Sequence, residues 1–318
     1  MHFLIPARGY NRRKWQAGGL AMGYRDLFPD ELAARVEKAV ELLADCTVCA
    51  RNCHVNRLQG EKGFCRGGRL AAVSSWGPHF GEEDVLVGRY GSGTIFFANC
   101  NLACRFCQNC DISQYGEGDE VTARELAGAM LELQEMGCHN INLVSPSHYV
   151  PQILEALYIA AGDGLKLPLV YNTGGYDALP TLKLLDGIVD IYMPDIKFGD
   201  DEIGERYTGA ARYFTVARQA VKEMHRQVGD LEVDERGIAV RGLLVRHLVM
   251  PGDLSRTREV MKFLAEEISP YTFVNIMDQY YPAHEARRYP ELSRRITREE
   301  FRRAVEIARE CGLRRIYA

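Results

Sequence analysis

The sequence lacks the features that would send it to several other classes of protein. No stretch approaches the roughly 18 apolar residues of a membrane-spanning helix, so no membrane partner is expected. The opening residues hold only Phe3-Leu4-Ile5 as an apolar run. That is too short for the core of an export signal, so a cytoplasmic location is expected. Basic charge is not in excess: 39 Lys and Arg stand against 43 Asp and Glu, a net charge of −4. This removes the electrostatic footprint of a nucleic-acid binder. Internal repeats and low-complexity tracts are absent. Gly91-Ser-Gly93 precedes a strand-like run instead of following one, which excludes a dinucleotide-binding turn. With 47% hydrophobic residues the chain is not disordered. At this length it buries roughly three quarters of its extended surface, enough for one large core.

Cysteine is the exception to this plain composition. There are 10, and Cys46, Cys49, Cys53, Cys65, Cys100, Cys104, Cys107 and Cys110 fall within one fifth of the chain. In a reducing compartment, clustered thiols read as metal ligands before disulfides. Cys138 and Cys311 lie at helix ends and read as packing.

Two regions are expected. Residues 1–90 read as an N-terminal arm, a helix and a four-cysteine metal-binding segment. The arm, residues 1–28, is irregular and basic. A helix is predicted from Asp30, its cap, to Ala44. Residues 91–318 alternate strands with helices. Strands are predicted at Gly93–Ala98, Asn140–Val144, Leu167–Tyr171, Ile188–Tyr192, Ala239–Met250 and Thr272–Ile276. Thr122-Ala-Arg-Glu125 and Thr297-Arg-Glu-Glu300 are capping boxes that open helices. Leu313–Tyr317 is a candidate last strand. Repeated strand–helix units imply parallel βαβ crossovers. Six strands are too few for a closed eight-strand barrel and suit a partial barrel or an open sheet. In either, chemistry gathers at the C-terminal ends of the strands.

Cys100-Asn-Leu-Ala-Cys104-Arg-Phe-Cys107 follows the first of those strands with spacing C-x3-C-x2-C. Three thiolates on one loop can hold three irons of a cubane cluster and leave the fourth open to a substrate group. With Phe106 before the last cysteine, this segment resembles the signature of radical S-adenosylmethionine (SAM) enzymes. The resemblance extends over residues 93–281, most specifically to activating enzymes of the pyruvate formate-lyase type. Thr173-Gly174 resembles an Asp-Thr-Asn-Gly segment of that branch, with Asn172 where its Asp stands. Met193-Pro-Asp195-Ile-Lys197 resembles Leu-Asp-Ile-Lys, and Arg246-His247-Leu-Val-Met-Pro251-Gly252 resembles Arg-x-Val-x-x-Pro-Gly.

The resemblance implies a partial (β/α)6 barrel. It implies a 4Fe–4S cluster on Cys100, Cys104 and Cys107. S-adenosylmethionine would be cleaved there to a 5′-deoxyadenosyl radical that abstracts hydrogen. Phe106, Ser145, Asn172, Gly174, Asp195, Lys197 and Arg246 would serve the cofactor or substrate. A low-potential electron donor such as flavodoxin or ferredoxin is implied, and a glycyl-radical protein or a peptide as substrate. The sequence departs from the branch after the second strand, where Ser145-Pro-Ser147-His148-Tyr149 replaces Gly-Gly-Glu. Ser145 or Ser147 would then receive the methionyl amine.

Cys46-x2-Cys49-x3-Cys53-x11-Cys65 places four thiols in twenty residues. The count fits a tetrahedral zinc site or a second iron–sulfur cluster. Two other classes stay open: a closed-cluster electron-transfer or redox-sensing protein that uses Cys110 as fourth ligand, and a zinc-structured binding module. His148 reads either as a proton donor or as a loop histidine. His247 and His284 read as structural, and Asn275 as facing either the cofactor or the core.

Overall fold

The fold is described from a computed structural model in which residues 23–318 are placed. Of the expected arm, residues 1–22 lie outside the described residues. After a short turn at Gly23–Asp26, helix α1 runs from Pro29 to Glu41. Phe28, not Asp30, occupies its cap, because Pro29 takes the first helical position and moves Asp30 into the first turn. The four-cysteine loop follows, and then strand β1 (Ala71–His79), an element beyond the six expected strands.

The remaining elements run in order: α2 (Asp84–Val87), β2 (Ser92–Phe97), α3 (Cys110–Ser113), β3 (Asp119–Val121), α4 (Ala123–Glu135), β4 (Ile141–Val144), α5 (Val150–Gly162), β5 (Leu169–Thr173), α6 (Leu179–Leu184) and β6 (Ile191–Pro194). They continue with α7 (Asp201–Thr208), α8 (Tyr213–Val228), β7 (Glu232–Val233), β8 (Ala239–Leu248), α9 (Thr257–Phe263), β9 (Phe273–Met277), α10 (Arg298–Glu310) and β10 (Arg315–Tyr317). Both expected capping boxes are formed, at Thr122 and Thr297.

One sheet holds nine of these strands in the order β10-β9-β8-β6-β5-β4-β2-β1-β3, and β7 pairs with β8. The six expected strands, β2, β4, β5, β6, β8 and β9, pair in parallel, and β10 adds a further parallel edge. This is the partial barrel. β1 runs antiparallel to β2 and β3. The cysteine-rich segment therefore shares its sheet with the barrel. Among the described residues no helix is long and apolar enough to cross a membrane.

Alternation along the strands sorts the side chains. Ile141, Leu143, Tyr171 and Tyr192 pack outward into the main core. Val170, Ile191, Met193 and Leu244 point inward and meet Leu86 of α2, which plugs the lumen. Their in-register neighbours Asn142 and Asn172 share that inner face. The lumen is thus mostly apolar around Leu86, with Asn142 the polar side chain beside Val170, and polar toward the C-terminal ends of the strands.

Candidate active site

The loop after β2 begins with Asn99 in the left-handed region (φ 67°), which turns the chain across the barrel mouth. The Ala103 and Arg105 N–H groups donate to the Thr208 and Tyr207 carbonyls at the end of α7. Phe106 packs edge-on to Phe198 at 5.8 Å and lies 6.2 Å from Tyr280. Its ring therefore helps to anchor the cysteine loop. Leu102 presses so closely on Gly174 that a Cβ there would come within 2.7 Å of it. A Cβ on Gly175 (φ +80°) would come within 2.5 Å of the Asp195 carbonyl. These two glycines let three strand ends converge under the cysteines.

Cys100, Cys104 and Cys107 act on one another electrostatically, and Lys197 acts on the first two. Burial pushes the Cys100 thiol up to about 11 and that of Cys104 higher still. Such thiols ionise only against a strong cation, as iron would provide. Cys110 opens α3 and turns its thiol toward Asp111, and its neighbour among the cysteines is Cys107. The three signature cysteines are gathered at the mouth; Cys110 stands at its edge.

A charged network begins beside them. Asp195 accepts from the Lys197 ammonium and from Arg246 Nε at 2.8 Å. Arg246 also donates to Asn172 Oδ1 at 2.7 Å and pairs with Glu82 at 3.2 Å. Burial works against charge on Asp195, but Arg246 and Lys197 outweigh it and hold the carboxyl below its ordinary value. Burial likewise opposes the charge on Lys197 and Arg246, and Asp195 raises both above their ordinary values. Asp195, Lys197 and Arg246 are therefore ionised at neutral pH, whereas burial pushes the Glu82 carboxyl up against the pull of Arg246. The Tyr213 hydroxyl ties the site together: it donates toward the Gly174 and Asp195 carbonyls at 2.9 and 3.1 Å and accepts from the Lys197 N–H at 3.0 Å.

The segment after β4 divides its roles. Ser147 is buried in a network with Thr173, and Thr173 and Tyr171 donate to Asp177. This leaves no place for a ligand on Ser147. Ser145 stays partly exposed beside Asn172, at φ 58°. His148 is not a proton donor. Burial drops its pKa to about 3, its ring lies 4.1 Å from Tyr149, and Nε2 faces the Ala98 carbonyl. His247 is also structural, buried between the Ile196 carbonyl and Thr257. His284 packs edge-on to Tyr115. Asn275 faces the lumen and donates to Glu83 at 2.7 Å. One layer below Asn172, the amide of Asn142 is buried with both its polar atoms unpartnered.

The other cysteine group lies close by. Cys46, Cys53 and Cys65 all act on Cys49, and Cys65 reaches Cys100 as well. Arg51 stands between the groups. Its guanidinium lies 3.5 Å from the Phe64 ring centroid, and Cys49, Cys53 and Cys100 all act on it. Among the described residues no set of three or more His, Cys, Asp or Glu converges on a single metal-ion position.

A family model of the radical SAM superfamily matches residues 94–264, more than half of the chain. The chain belongs to the radical SAM superfamily. It is 34% identical over 296 residues to the uncharacterized protein MJ0674 of Methanocaldococcus jannaschii, a match covering 91% of this chain and 81% of that protein. Among solved structures it is similar to a radical SAM methyltransferase from Sphaerobacter thermophilus, at 16% identity and TM-score 0.47, over 70% of this chain and 65% of that one. It is also similar to HydG, a maturase of the FeFe-hydrogenase, at 13% identity and TM-score 0.47, over 91% and 63% of the two chains.

The superfamily implies a 4Fe–4S cluster and S-adenosylmethionine. The residues present fit both. Three thiols on one loop, Cys104 buried and Cys100 and Cys107 half-buried, supply the donors, and the unpartnered Asn142 amide, Asn172 and the Arg246 network supply polar groups along the lumen.

Glu82, Glu83, Asn142, Arg51 and Tyr213 did not emerge from the sequence. The first two sit in Gly81-Glu-Glu-Asp84, a segment that reads locally as a solvated loop. Tyr213 opens a helix and shows its role only through the loops it joins.

Proposed function

We propose that this chain is a radical SAM enzyme that cleaves S-adenosylmethionine reductively and passes hydrogen abstraction to a substrate in the barrel. The observation that carries the reading is the gathering of Cys100, Cys104 and Cys107 beside Lys197, Asp195 and Arg246 at the strand ends. The cluster, when bound, supplies an electron and an open iron; S-adenosylmethionine supplies the 5′-deoxyadenosyl radical. The protein's own residues do the rest. Cys100, Cys104 and Cys107 ligate. Lys197 keeps positive charge beside the ligating thiolates and moderates their repulsion. Arg246 fixes Asp195 and Asn172 in one plane of the lumen. Ser145 and Asn142 offer hydroxyl and amide groups to the cofactor. Phe106, Gly174 and Tyr213 hold the loops in place.

Within the superfamily, the residues from Phe106 to Gly252 support a branch related to the pyruvate formate-lyase activating enzymes. Its substrate would be a glycyl-radical protein or another peptide, with flavodoxin or ferredoxin as electron donor in a reducing cytoplasm. Cys46, Cys49, Cys53 and Cys65 form a second metal centre in this reading. Four thiols in twenty residues suit an iron–sulfur cluster or zinc there.

The test is anaerobic reconstitution with iron and sulfide, followed by dithionite and S-adenosylmethionine. 5′-Deoxyadenosine and methionine should accumulate. Intact clusters with no 5′-deoxyadenosine would sink the enzyme reading in favour of a closed-cluster electron carrier. Zinc without iron after anaerobic purification would favour a zinc-structured binding module.

A further inference from the structure

The partial barrel has a seam between its first and last strands. β1, paired to β2, forms one side; β9 and β10 form the other. The loop from Gly81 to Asp84 crosses from the first side to the second. Glu82 reaches Arg246 of β8, Glu83 reaches Asn275 of β9, and Asp84 accepts from the Tyr317 hydroxyl of β10 at 3.2 Å. A cavity of about 260 Å³ opens at this seam, lined by Glu82, Glu83, Arg246, Asn275 and the β9 end through Gln279.

The charges around the cavity do not balance. Glu82, Glu83 and Asp278 line it against one lining cation, Arg246. Arg246 is already matched by Asp195 and Glu82, and Lys197 by Asp195. The surplus falls on Glu83 and the exposed Asp278, and of the two only Glu83 is buried. Its residue is only 4% exposed, and its Oε2 is buried with no hydrogen-bond partner. Glu83 is the cap residue of α2, where a side chain normally bonds the first turn; this one does not. Its Oε1 accepts instead from Asn275, and the residue lines the cavity. A buried carboxylate oxygen left without a donor is costly, and a cationic ligand removes that cost.

We propose that the seam cavity binds a cationic group of the substrate, a protonated amine or guanidine, through the Glu83 carboxylate. The inference rests on the radical SAM reading and narrows its substrate class. The network from Cys104 through Lys197, Asp195 and Arg246 ends at this cavity, so a cation held by Glu83 sits next to the residues that line the cofactor's end of the lumen.

The experiment is calorimetric titration of the reconstituted chain with n-butylammonium and with n-butanol, its neutral counterpart, on wild type and Glu83→Gln. The cation should bind saturably, the alcohol should not, and Glu83→Gln should weaken the cation about tenfold or more. Gln keeps an oxygen for Asn275, so the variant should melt no lower than wild type. Equal affinity of both proteins for the cation, equal binding of the alcohol, or no saturable binding overturns the proposal. So does a lower melting temperature for Glu83→Gln, which would show that the carboxylate is consumed by the fold. A blocked tripeptide with a central lysine, titrated alongside, separates two sources of the cation: tighter peptide binding points to a protein side chain, tighter amine binding to a free small molecule. None of these measurements needs reductant or cofactor cleavage. Their failure leaves the radical reading standing, and failed cleavage leaves this inference standing.

Discussion

Asp195 is the one anion shared by two cations, and Asp195→Asn should therefore be the most disruptive isosteric change in the site. The side chains of Asp195, Lys197 and Arg246 are only 14%, 16% and 18% exposed. Removing one partner of a fully buried ion pair costs roughly 3–5 kcal/mol, and the residual exposure lowers that to about 2–3 kcal/mol. Arg246 keeps Glu82 at 3.2 Å, so the uncompensated charge falls on Lys197. Lys197→Met should cost less, about 1 kcal/mol, since Asp195 retains Arg246. The double variant leaves Arg246 facing Glu82 and no stranded ammonium. It should be more stable than the sum of the single losses predicts, by about 1–2 kcal/mol. Anaerobic urea unfolding with reduced thiols, followed by circular dichroism, measures all four proteins. The pH dependence has a definite sign. The folded Asp195 carboxyl lies below its ordinary value, so its stabilisation is complete above an unfolded pKa of about 3.9 and is lost as pH falls through the folded value. The gap between wild type and Asp195→Asn should be constant from pH 7 to 5 and close below about 4. Losses that add to within about 0.5 kcal/mol would refute the shared-anion account.

Three further outcomes are expected. Cys104→Ala should abolish 5′-deoxyadenosine formation while Cys110→Ala keeps most of it; equal loss, read by chromatography, would mean that Cys110 is a ligand. Tyr213→Phe should destabilise the chain by about 1–3 kcal/mol, because it strands the buried Lys197 N–H, and urea midpoints would show it. Glu300 is held at about 2 by Arg294 and by the Gly252 and Thr297 N–H groups, so its contribution is present above its unfolded pKa of about 4.3 and lost as pH falls toward 2. Glu300→Gln should remove about 1 kcal/mol at pH 7 after allowance for solvent screening, and nothing near pH 2.

The parallel strands were legible because each is buried on both faces and reads as a short apolar run. Gly93–Ala98 and Thr272–Ile276 landed within a residue or two of β2 and β9. The capping boxes were legible because their chemistry is local. β1 was not, since Ala71–His79 contains Ser74, Ser75, Gly77 and Pro78 and shows no apolar alternation. α7 was hidden by the Gly204 in its interior. Spacing and resemblance singled out the three cysteines and Asp195, Lys197 and Arg246, and the fold brings them together at the strand ends. The packing of Phe106 on Phe198 and Tyr280 was not legible, because an aromatic in a motif reads the same whether it faces a ligand or the core. Glu82 and Glu83 were illegible for a different reason. Their burial depends on a loop crossing the barrel seam, which no local pattern encodes.

That crossing bears on why the lumen is charged at all. Five ionisable side chains within a barrel cost stability relative to apolar residues of the same size. The opposite end of the same lumen shows the cheaper solution, with Leu86, Val170, Ile191 and Leu244 packed together. A purely structural strap could have closed the seam with such residues. The strap here instead brings two carboxylates to the end of the network that starts at Cys104, and leaves one oxygen without a partner. Charge is concentrated where cofactor and substrate would meet and absent where only packing is needed. That asymmetry within one lumen is the physical argument that the network serves chemistry, not the fold.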